Sequence, residues 1–210
     1  MTAPTRIKLH HFALSGHSHR VQLMLSLLDL PHEIVPVNLR QGEHKSEAFL
    51  KLNPFGQVPV LEDGDTALFD SNAILVYLAR RYDPAGRWLP HDAARQANVQ
   101  AWLSVAAGLI AFGPAAARMI TLFGSKANAE EAIARAHHLL KVMEGVLGRQ
   151  DHLAGSTATL ADIACYSYIC AAPEGNVDLT PYPNVRAWLA RVEALPGFVP
   201  LPKSAVGLSA

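Results

Sequence analysis

Residues 1–83 alternate between short apolar runs and stretches in which apolar residues recur every three or four positions. In segment 18–30, Val21, Met24 and Leu25 have the spacing of one helix face. The pattern predicts strands at 7–11, 32–37, 58–61 and 66–69, and helices at 18–30, 43–52 and 70–82. In chain order this is β-α-β-α-β-β-α, which is typical of a small α/β domain.

The pattern changes at Asp83-Pro84-Ala85-Gly86, a cluster of residues that break regular structure. Beyond it, apolar residues keep helical spacing and no segment alternates like a strand. Helices are predicted at 91–112, resuming to 123 after an interruption at Gly113-Pro114, and at 128–148, 160–171 and 183–195. Thr159 and Asp162 have the spacing of a capping box before the helix at 160–171. The prediction is therefore an α/β domain at 1–83, a linker at 84–92 and an all-α domain at 93–210.

The most apolar run is Ala101–Ala117, and it sets the expectation about membranes. It contains Ser104 and Gly113-Pro114, and it is shorter than the ~20 strongly apolar residues that a membrane-spanning helix needs. We interpret it as a buried helix of a soluble protein that has no membrane partner. Residues 1–6 contain no apolar signal core, which favours a cytoplasmic location.

The chain of 210 residues has 18 Lys and Arg and 18 Asp and Glu, so its formal net charge is zero. Binding to a phosphate backbone needs a basic excess, which excludes nucleic acid as the main partner. The two cysteines, Cys165 and Cys170, lie in an apolar stretch and do not have the spacing of a redox pair. They exclude a disulfide scaffold and favour a reducing compartment.

The loop between the first strand and the first helix, Leu14–Arg20, carries hydroxyl groups next to a helix start. Ser15 could donate a hydrogen bond to an anion there, because free N–H groups and the helix dipole make the site positive. The alternative is that Ser15 or Ser18 only caps the helix. His17 and His19 have no further ligands at matching spacing, so no metal site is predicted.

Two further segments offer groups for a small zwitterion. Asp70 and Ser71, at the start of the third predicted helix, suit an amino-acid head: the ammonium would meet the carboxylate, and the carboxylate would meet the hydroxyl and backbone N–H groups. The alternative is an ordinary helix N-cap. His44 and Lys45 could hold a carboxylate, against the alternative of a solvated helix start.

The segment Asn53–Leu61 brings Val58-Pro59 to the start of a predicted strand. A cis bond before Pro59 would turn the chain and leave the backbone groups of Val58 free for a ligand. Because only about 5–6% of X–Pro bonds in folded proteins are cis, the residues by themselves favour a trans proline at a sheet edge.

In this order and spacing, the segments resemble the cytosolic glutathione transferases, most of all the serine-dependent phi and theta classes and their bacterial counterparts. The resemblance rests on Gly42-Glu-His-Lys45, Asn53-Pro-Phe-Gly-Gln-Val-Pro59 and Asp70-Ser71. It implies an α/β thioredoxin-like N-terminal domain with a cis Pro59, followed by an all-α C-terminal domain. Asp70 stands where those classes generally have Glu, and the His-rich loop 16–19 also departs from them.

The resemblance also implies how glutathione, as co-substrate, would lie across the first domain. Ser15 would stabilise its thiolate, with Ser18 as the rival hydroxyl, and no metal would take part. The glutathione-binding residues implied are His44 and Lys45 at the glycine end, Gln57, Val58 and Pro59 along the peptide, and Asp70 and Ser71 at the γ-glutamyl head. Candidates for an apolar second-substrate pocket, each with plain core as its alternative, are Phe12, Leu14, Phe112, Met119 and Phe123.

We therefore expect a homodimeric detoxification enzyme, a glutathione transferase that conjugates glutathione to hydrophobic electrophiles and also reduces organic hydroperoxides. One alternative is a non-catalytic glutathione-binding or regulatory protein of the same fold. Another is a glutathione-dependent disulfide reductase. That reaction would need a cysteine in the loop 12–20, where the sequence has none.

Overall fold

The computed structural model describes residues 7–210, so the prediction about residues 1–6 lies outside the described residues. The chain folds into two compact units. The first runs to Pro84 and also includes Pro196–Leu201, and the second comprises Ala85–Leu195 and Pro202–Ala210. The hydrophobic pattern does not indicate the return of the chain to the first unit.

The first unit is built on a four-stranded mixed sheet. Its elements in chain order are β1 (Ile7–His11), α1 (Gly16–Leu27), β2 (His32–Pro36), α2 (Glu47–Leu52), β3 (Val60–Asp63), β4 (Thr66–Phe69) and α3 (Ser71–Tyr82). The strand order is β2-β1-β3-β4, with β1 and β2 parallel and the other neighbours antiparallel. The predicted element order and the thioredoxin-like fold class are confirmed.

The core of this unit lies at the apolar positions that the pattern indicates. Leu9 pairs in register with Ile34 on one side and Leu61 on the other. Leu9 and Leu61 are fully buried, and so are Val21 and Met24 of α1. Side chains alternate across a strand and recur with the turn of a helix, so each element places one apolar face in this core.

Several element boundaries differ from the predictions, among them those of α1, which is predicted at 18–30 and spans Gly16–Leu27. The helix predicted at 43–52 is a 3₁₀ turn at Glu43–Lys45 followed by α2, because Ser46 is extended and caps α2 with its side chain. The strand predicted at 58–61 begins only at Val60.

The segment Pro196–Leu201 binds to α1. His19 Nε2 lies 2.9 Å from the carbonyl oxygen of Val199, and Ser26 Oγ donates to the carbonyl oxygen of Gly197 at 2.7 Å. Gly197 has a φ of +86°, and a Cβ there would lie 2.9 Å from the carbonyl oxygen of Ser26. Glycine therefore permits both the backbone conformation and the close approach.

The second unit is helical, as predicted. Its helices are α4 (Ala93–Val105), α5 (Ala116–Phe123), α6 (Ala129–Leu147), α7 (Leu160–Cys170) and α8 (Pro183–Glu193), with short 3₁₀ turns at Ala172–Gly175 and Gly207–Ser209. The four apolar positions expected on one face of α8 are buried: Val185, Trp188, Leu189 and Val192.

The predicted interruption at Gly113-Pro114 is wrong. The chain stays helical through Ala93–Phe123, with π-helical turns at Ala106–Ala115. Proline lacks the N–H that an α-helical turn uses, and the wider π turn accommodates it. A Cβ on Gly113 would lie 3.1 Å from the backbone nitrogen of Ala136, so glycine lets the π-helical segment pack closely on α6.

By length and composition alone, this continuous helix could cross a membrane, but core helices of soluble proteins meet the same criteria. Within its most apolar 18-residue window, 39% is buried. Ala106 and Ile110 are fully buried, whereas Leu109 and Phe112 are exposed. The prediction of a buried helix therefore holds for one side of it only.

The predicted capping box at the start of α7 is confirmed. Thr159 Oγ1 accepts from the backbone N–H of Ala161 at 3.2 Å, and Asp162 Oδ2 accepts from the N–H of Thr159 at 2.9 Å. Asp162 is fully buried and also accepts from Leu153 N at 2.9 Å and Trp188 Nε1 at 2.8 Å. One carboxylate thus joins the start of α7 to the preceding loop and to α8.

Candidate functional site

Ser15 is the N-cap of α1. Its backbone is extended (φ −83°, ψ 118°), and its Oγ accepts a hydrogen bond from Ser18 N at 3.2 Å. The capping alternative is thus confirmed for Ser15. Because the hydroxyl is the acceptor in this bond, its own proton remains for a further partner. The first turn of α1, which the structure describes in full, has no acidic side chain to offset the positive potential of the helix start.

Ser18, the rival hydroxyl, is fully buried. Its Oγ accepts from the backbone N–H of Phe12 at 3.3 Å. Phe12 and Leu14, two candidates for the second-substrate pocket, are half-buried in the same loop, and so is Ser15. The burial favours Ser15 over Ser18 as the hydroxyl that a ligand can reach.

A cavity of about 290 Å³ lies in the first unit, where the turn before β3 and the end of β4 meet the start of α3. Its lining includes five of the implied glutathione-binding residues, namely Gln57, Val58, Pro59, Asp70 and Ser71. Four further lining residues were not predicted, namely His17, Asn53, Phe55 and Phe69. The predicted site residues Ser15, His44 and Lys45 do not line this cavity.

One wall of the cavity is the turn that leads into β3. The Val58–Pro59 bond is cis, so the trans proline favoured by frequency alone is wrong and the cis form implied by the resemblance is confirmed. Asn53 is a buried member of this wall: its Nδ2 donates to the carbonyl oxygen of Gln57 at 2.8 Å and its Oδ1 accepts from Phe55 N at 3.0 Å. An asparagine that starts a turn often bonds the backbone in this way, which is the signal that could have indicated it.

Asp70 begins α3 with an uncommon backbone. Its φ is +66° and ψ is 118°, and its Oδ1 accepts from the N–H groups of Asn72 and Ala73, each at 2.9 Å. The N-cap alternative is therefore confirmed. Capping occupies one carboxylate oxygen, and the second lies outside the cap.

The hydroxyl of Ser71 is held from within the unit. Arg20 Nη1 donates to Ser71 Oγ at 3.2 Å and to Asn72 Oδ1 at 2.9 Å. His17 Nδ1 lies 3.3 Å from Ser71 Oγ. Burial, and then the charge of Arg20, lower the pKa of His17 to about 3, so its ring is neutral at physiological pH. Sequence reasoning considered His17 only as a metal ligand.

His44 and Lys45 lie on the 3₁₀ turn that precedes α2. Lys45 Nζ donates to the carbonyl oxygens of Phe55 and Gly56, both at 3.1 Å, so it holds the loop that forms the cavity wall. Gly56 has a φ of +57°, and a Cβ there would lie 2.6 Å from the carbonyl oxygen of His44. The expectation that His44 and Lys45 meet the glycine end of a ligand stays a prediction.

Two aromatic rings line the cavity and remain exposed to solvent. Phe55 is 65% exposed and Phe69 38%. Their ring centroids are 5.7 Å apart and the rings are tilted by 58°. The polar groups of Asp70 and Ser71 thus share the cavity with an apolar pair.

Three candidates for the second-substrate pocket lie in the helical unit. Phe112, Met119 and Phe123 are exposed, at 63%, 44% and 39%. The alternative that they are plain core is therefore wrong for all three. Among residues 7–210, no group of three or more His, Cys, Asp or Glu side chains could hold a metal ion.

Known protein families match segments of both units. Two family models match the chain, the glutathione S-transferase N-terminal domain at residues 14–81 and its C-terminal domain at residues 100–196. A glutathione S-transferase of Hyoscyamus muticus is 35% identical over 208 residues, which cover 91% of this chain and 95% of that protein.

Solved structures agree with this match. The crystal structure of a glutathione S-transferase from Pseudomonas fluorescens is similar with a TM-score of 0.88 and 35% identity, covering 94% of this chain and 99% of that one. A glutathione transferase homologue from Drosophila mojavensis, solved with bound glutathione, has a TM-score of 0.83 and 32% identity, covering 91% of this chain and 89% of that one.

Proposed function

The chain belongs to the glutathione S-transferase family and is an enzyme of that family, and from this premise we propose that it joins the thiolate of glutathione to hydrophobic electrophiles. Reduction of organic hydroperoxides is the second activity in this proposal. The observation that carries it is the cavity of the first unit, which gathers five implied glutathione-binding residues. The helix start at Ser15 lies two residues along the chain from His17, which lines that cavity.

In this proposal the cavity holds the γ-glutamyl head of glutathione. The ammonium group meets the second carboxylate oxygen of Asp70, and the α-carboxylate meets the hydroxyl of Ser71 at the positive start of α3. Gln57 and the backbone of Val58 hold the peptide. The glycine end lies toward His44 and Lys45, so a neutral protein binds this small anion with a few placed groups.

Ser15 stabilises the thiolate and is not itself the nucleophile. A free thiol has a pKa of about 8.5, and lowering it by two units requires about 2.7 kcal/mol of preferential binding to the thiolate. The Ser15 hydroxyl accepts from Ser18 N and so keeps its proton for the sulfur. This hydroxyl donor and the positive start of α1 both stabilise the thiolate more than the thiol, and together they can supply this energy.

The second substrate is apolar in this proposal. Phe112, Met119 and Phe123 expose aromatic and thioether surface on the helical unit, and such surface suits a hydrophobic electrophile. Phe12 and Leu14 offer half-buried apolar side chains in the loop that carries Ser15. We also propose that the enzyme is of the serine-dependent phi and theta type, acts in the cytoplasm and forms a homodimer.

The proposed chemistry is tested by Ser15→Ala. We expect kcat/KM for conjugation of an aryl halide at pH 6.5 to fall by about 10- to 50-fold, because a thiol with a pKa near 8.5 is only about 1% ionised there. The pH profile of kcat/KM should shift toward that higher pKa. Calorimetry should still detect glutathione binding, since the cavity is unchanged.

Ser18→Ala is the matched control. It removes the acceptor of Phe12 N, so we expect a loss of about 1–2 kcal/mol in the free energy of unfolding. The pKa of the bound thiol should stay at its wild-type value. Full activity of Ser15→Ala at pH 6.5, with loss of activity in Ser18→Ala, would transfer the role to Ser18.

A further inference from the structure

The hydroxyl of Ser71 has two nitrogen neighbours inside the first unit. Arg20 Nη1 donates to its oxygen at 3.2 Å, and His17 Nδ1 lies 3.3 Å from it. We propose that His17 is a positioning residue: its Nδ1–H and Arg20 fill the lone pairs of Ser71 Oγ, so that the Ser71 proton is directed to the α-carboxylate of the bound γ-glutamyl group. This inference rests on the proposed function, because it takes glutathione as the occupant of the cavity.

The bonds that a hydroxyl can donate and accept limit what Ser71 can offer a ligand. Ser71 Oγ has one proton to donate and two lone pairs to accept with, and Arg20 fills one lone pair. If Nδ1 of His17 carries the ring proton, it fills the second, and Ser71 can only donate to the ligand. If Nδ1 is unprotonated, Ser71 gives its proton to His17 and offers the ligand only a lone pair. The tautomer of His17 therefore decides which end of a zwitterion Ser71 receives.

The nearby charges decide between these two states. Arg20 is almost fully buried and carries a permanent positive charge within hydrogen-bond distance of Ser71. Away from water this charge favours a carboxylate at Ser71 and disfavours an ammonium group. The ammonium has its own partner in Asp70, which also lines the cavity. A carboxylate at Ser71 in turn requires the Nδ1–H tautomer of His17.

His17 acts in this arrangement as a neutral donor. Its ring lines the cavity, and its pKa of about 3, caused first by burial and then by Arg20, keeps it uncharged. It therefore contributes one directed N–H and no positive charge. A neutral side chain with a donor at the same distance from the backbone can replace it, and an aromatic ring of similar size without nitrogen cannot.

Two variants separate the donor from the volume of the ring. His17→Asn keeps an N–H donor, and His17→Phe keeps the ring without one. Calorimetric titrations use glutathione and γ-aminobutyryl-cysteinylglycine, in which a hydrogen replaces the α-carboxylate. We expect His17→Phe to bind glutathione about 5- to 10-fold more weakly than the wild type, with unchanged affinity for the analogue. His17→Asn should stay within about twofold of the wild type for both ligands.

Each other outcome has a distinct meaning. Equal weakening of both ligands by His17→Phe, or no weakening of either, overturns the role of His17 while wild-type binding still supports the proposed function. A wild-type protein that binds no glutathione at millimolar concentration overturns the proposed function, and this inference with it.

A spectroscopic measurement on the wild-type protein completes the test. The ¹⁵N chemical shifts of a histidine ring distinguish the two neutral tautomers, and the spectrum of His17→Asn identifies the His17 signals by their absence. We expect the Nδ1–H tautomer in the glutathione complex. The Nε2–H tautomer in that complex overturns the inference, even if His17→Phe does not fold.

Discussion

Asn53 shows how a single buried amide shapes the candidate site at the residue scale. It bonds the carbonyl oxygen of Gln57 and the N–H of Phe55 at once, so it fixes both ends of the turn that forms the cavity wall. The donor half of the amide cannot be supplied by a carboxylate of the same shape. The orientation of the Gln57–Val58 peptide group therefore depends on the buried amide of Asn53, which also lines the cavity.

Asn53→Asp should lower the free energy of unfolding by about 1–3 kcal/mol, because a carboxylate then faces the carbonyl oxygen of Gln57. Urea denaturation measures this, and glutathione affinity should fall with it. The matched control is Asn98→Asp, since the exposed Asn98 also donates to a carbonyl oxygen, that of Ala154, at 3.2 Å. Its effect should stay within about 0.5 kcal/mol, and equal effects at the two positions would contradict the assignment.

The sequence allowed only part of the site to be predicted at this scale. Asp70 and Ser71 were identified because both lie at one predicted helix start, which is a local pattern. The contact between His17 and Ser71 joins residues 54 positions apart, and no local pattern reports such a distance. The cis form of Pro59 came only from the resemblance, since the frequency of cis prolines favoured the other isomer.

At the scale of elements, Asp162 determines how α7 begins. Its carboxylate accepts from the backbone of Thr159 and Leu153 and from the indole of Trp188, all without contact with water. This box was predictable because its two side chains are three residues apart. The continuous π-helical segment was not, because Gly113-Pro114 is the same signal that ends most helices.

Asp162→Asn should destabilise the protein by about 2–4 kcal/mol, because an amide NH₂ would then face buried N–H donors. The matched control is Asp92→Asn at the start of α4, where the exposed Asp92 accepts from Arg95 N at 2.9 Å. Asparagine is an equally good N-cap, so this change should cost under about 0.5 kcal/mol. Chemical denaturation compares them, and similar losses would argue against the network at Asp162.

At the scale of the whole molecule, the first unit is assembled from two distant stretches of chain. The segment Pro196–Leu201 supplies carbonyl oxygens to His19 and Ser26 of α1, the helix that Ser15 caps. Local periodicity predicted the two classes of structure and could not reveal this return. A short irregular segment has no period, and its partner in α1 is far away in the chain.

Gly197→Ala should lower the free energy of unfolding by about 2–3 kcal/mol, because it adds a close contact with Ser26 to the cost of a positive φ. Gly124→Ala is the matched control. Gly124 also has a positive φ, +68°, but a Cβ there meets nothing within 4 Å, so only about 1 kcal/mol is expected. Thermal unfolding measures both, and equal losses would mean that the approach to α1 adds nothing.

The return of Pro196–Leu201 also bears on how the chain is made and how it could be recombined. A ribosome adds this segment only after it has made Ala85–Leu195 of the second unit, so the first unit completes its support of α1 long after the residues up to Pro84 have been synthesised. A gene fusion or exchange that moved only the N-terminal stretch would leave that support behind. The helix α1 keeps its hydrogen bonds to Pro196–Leu201 only when the coding sequences of both units are transferred together.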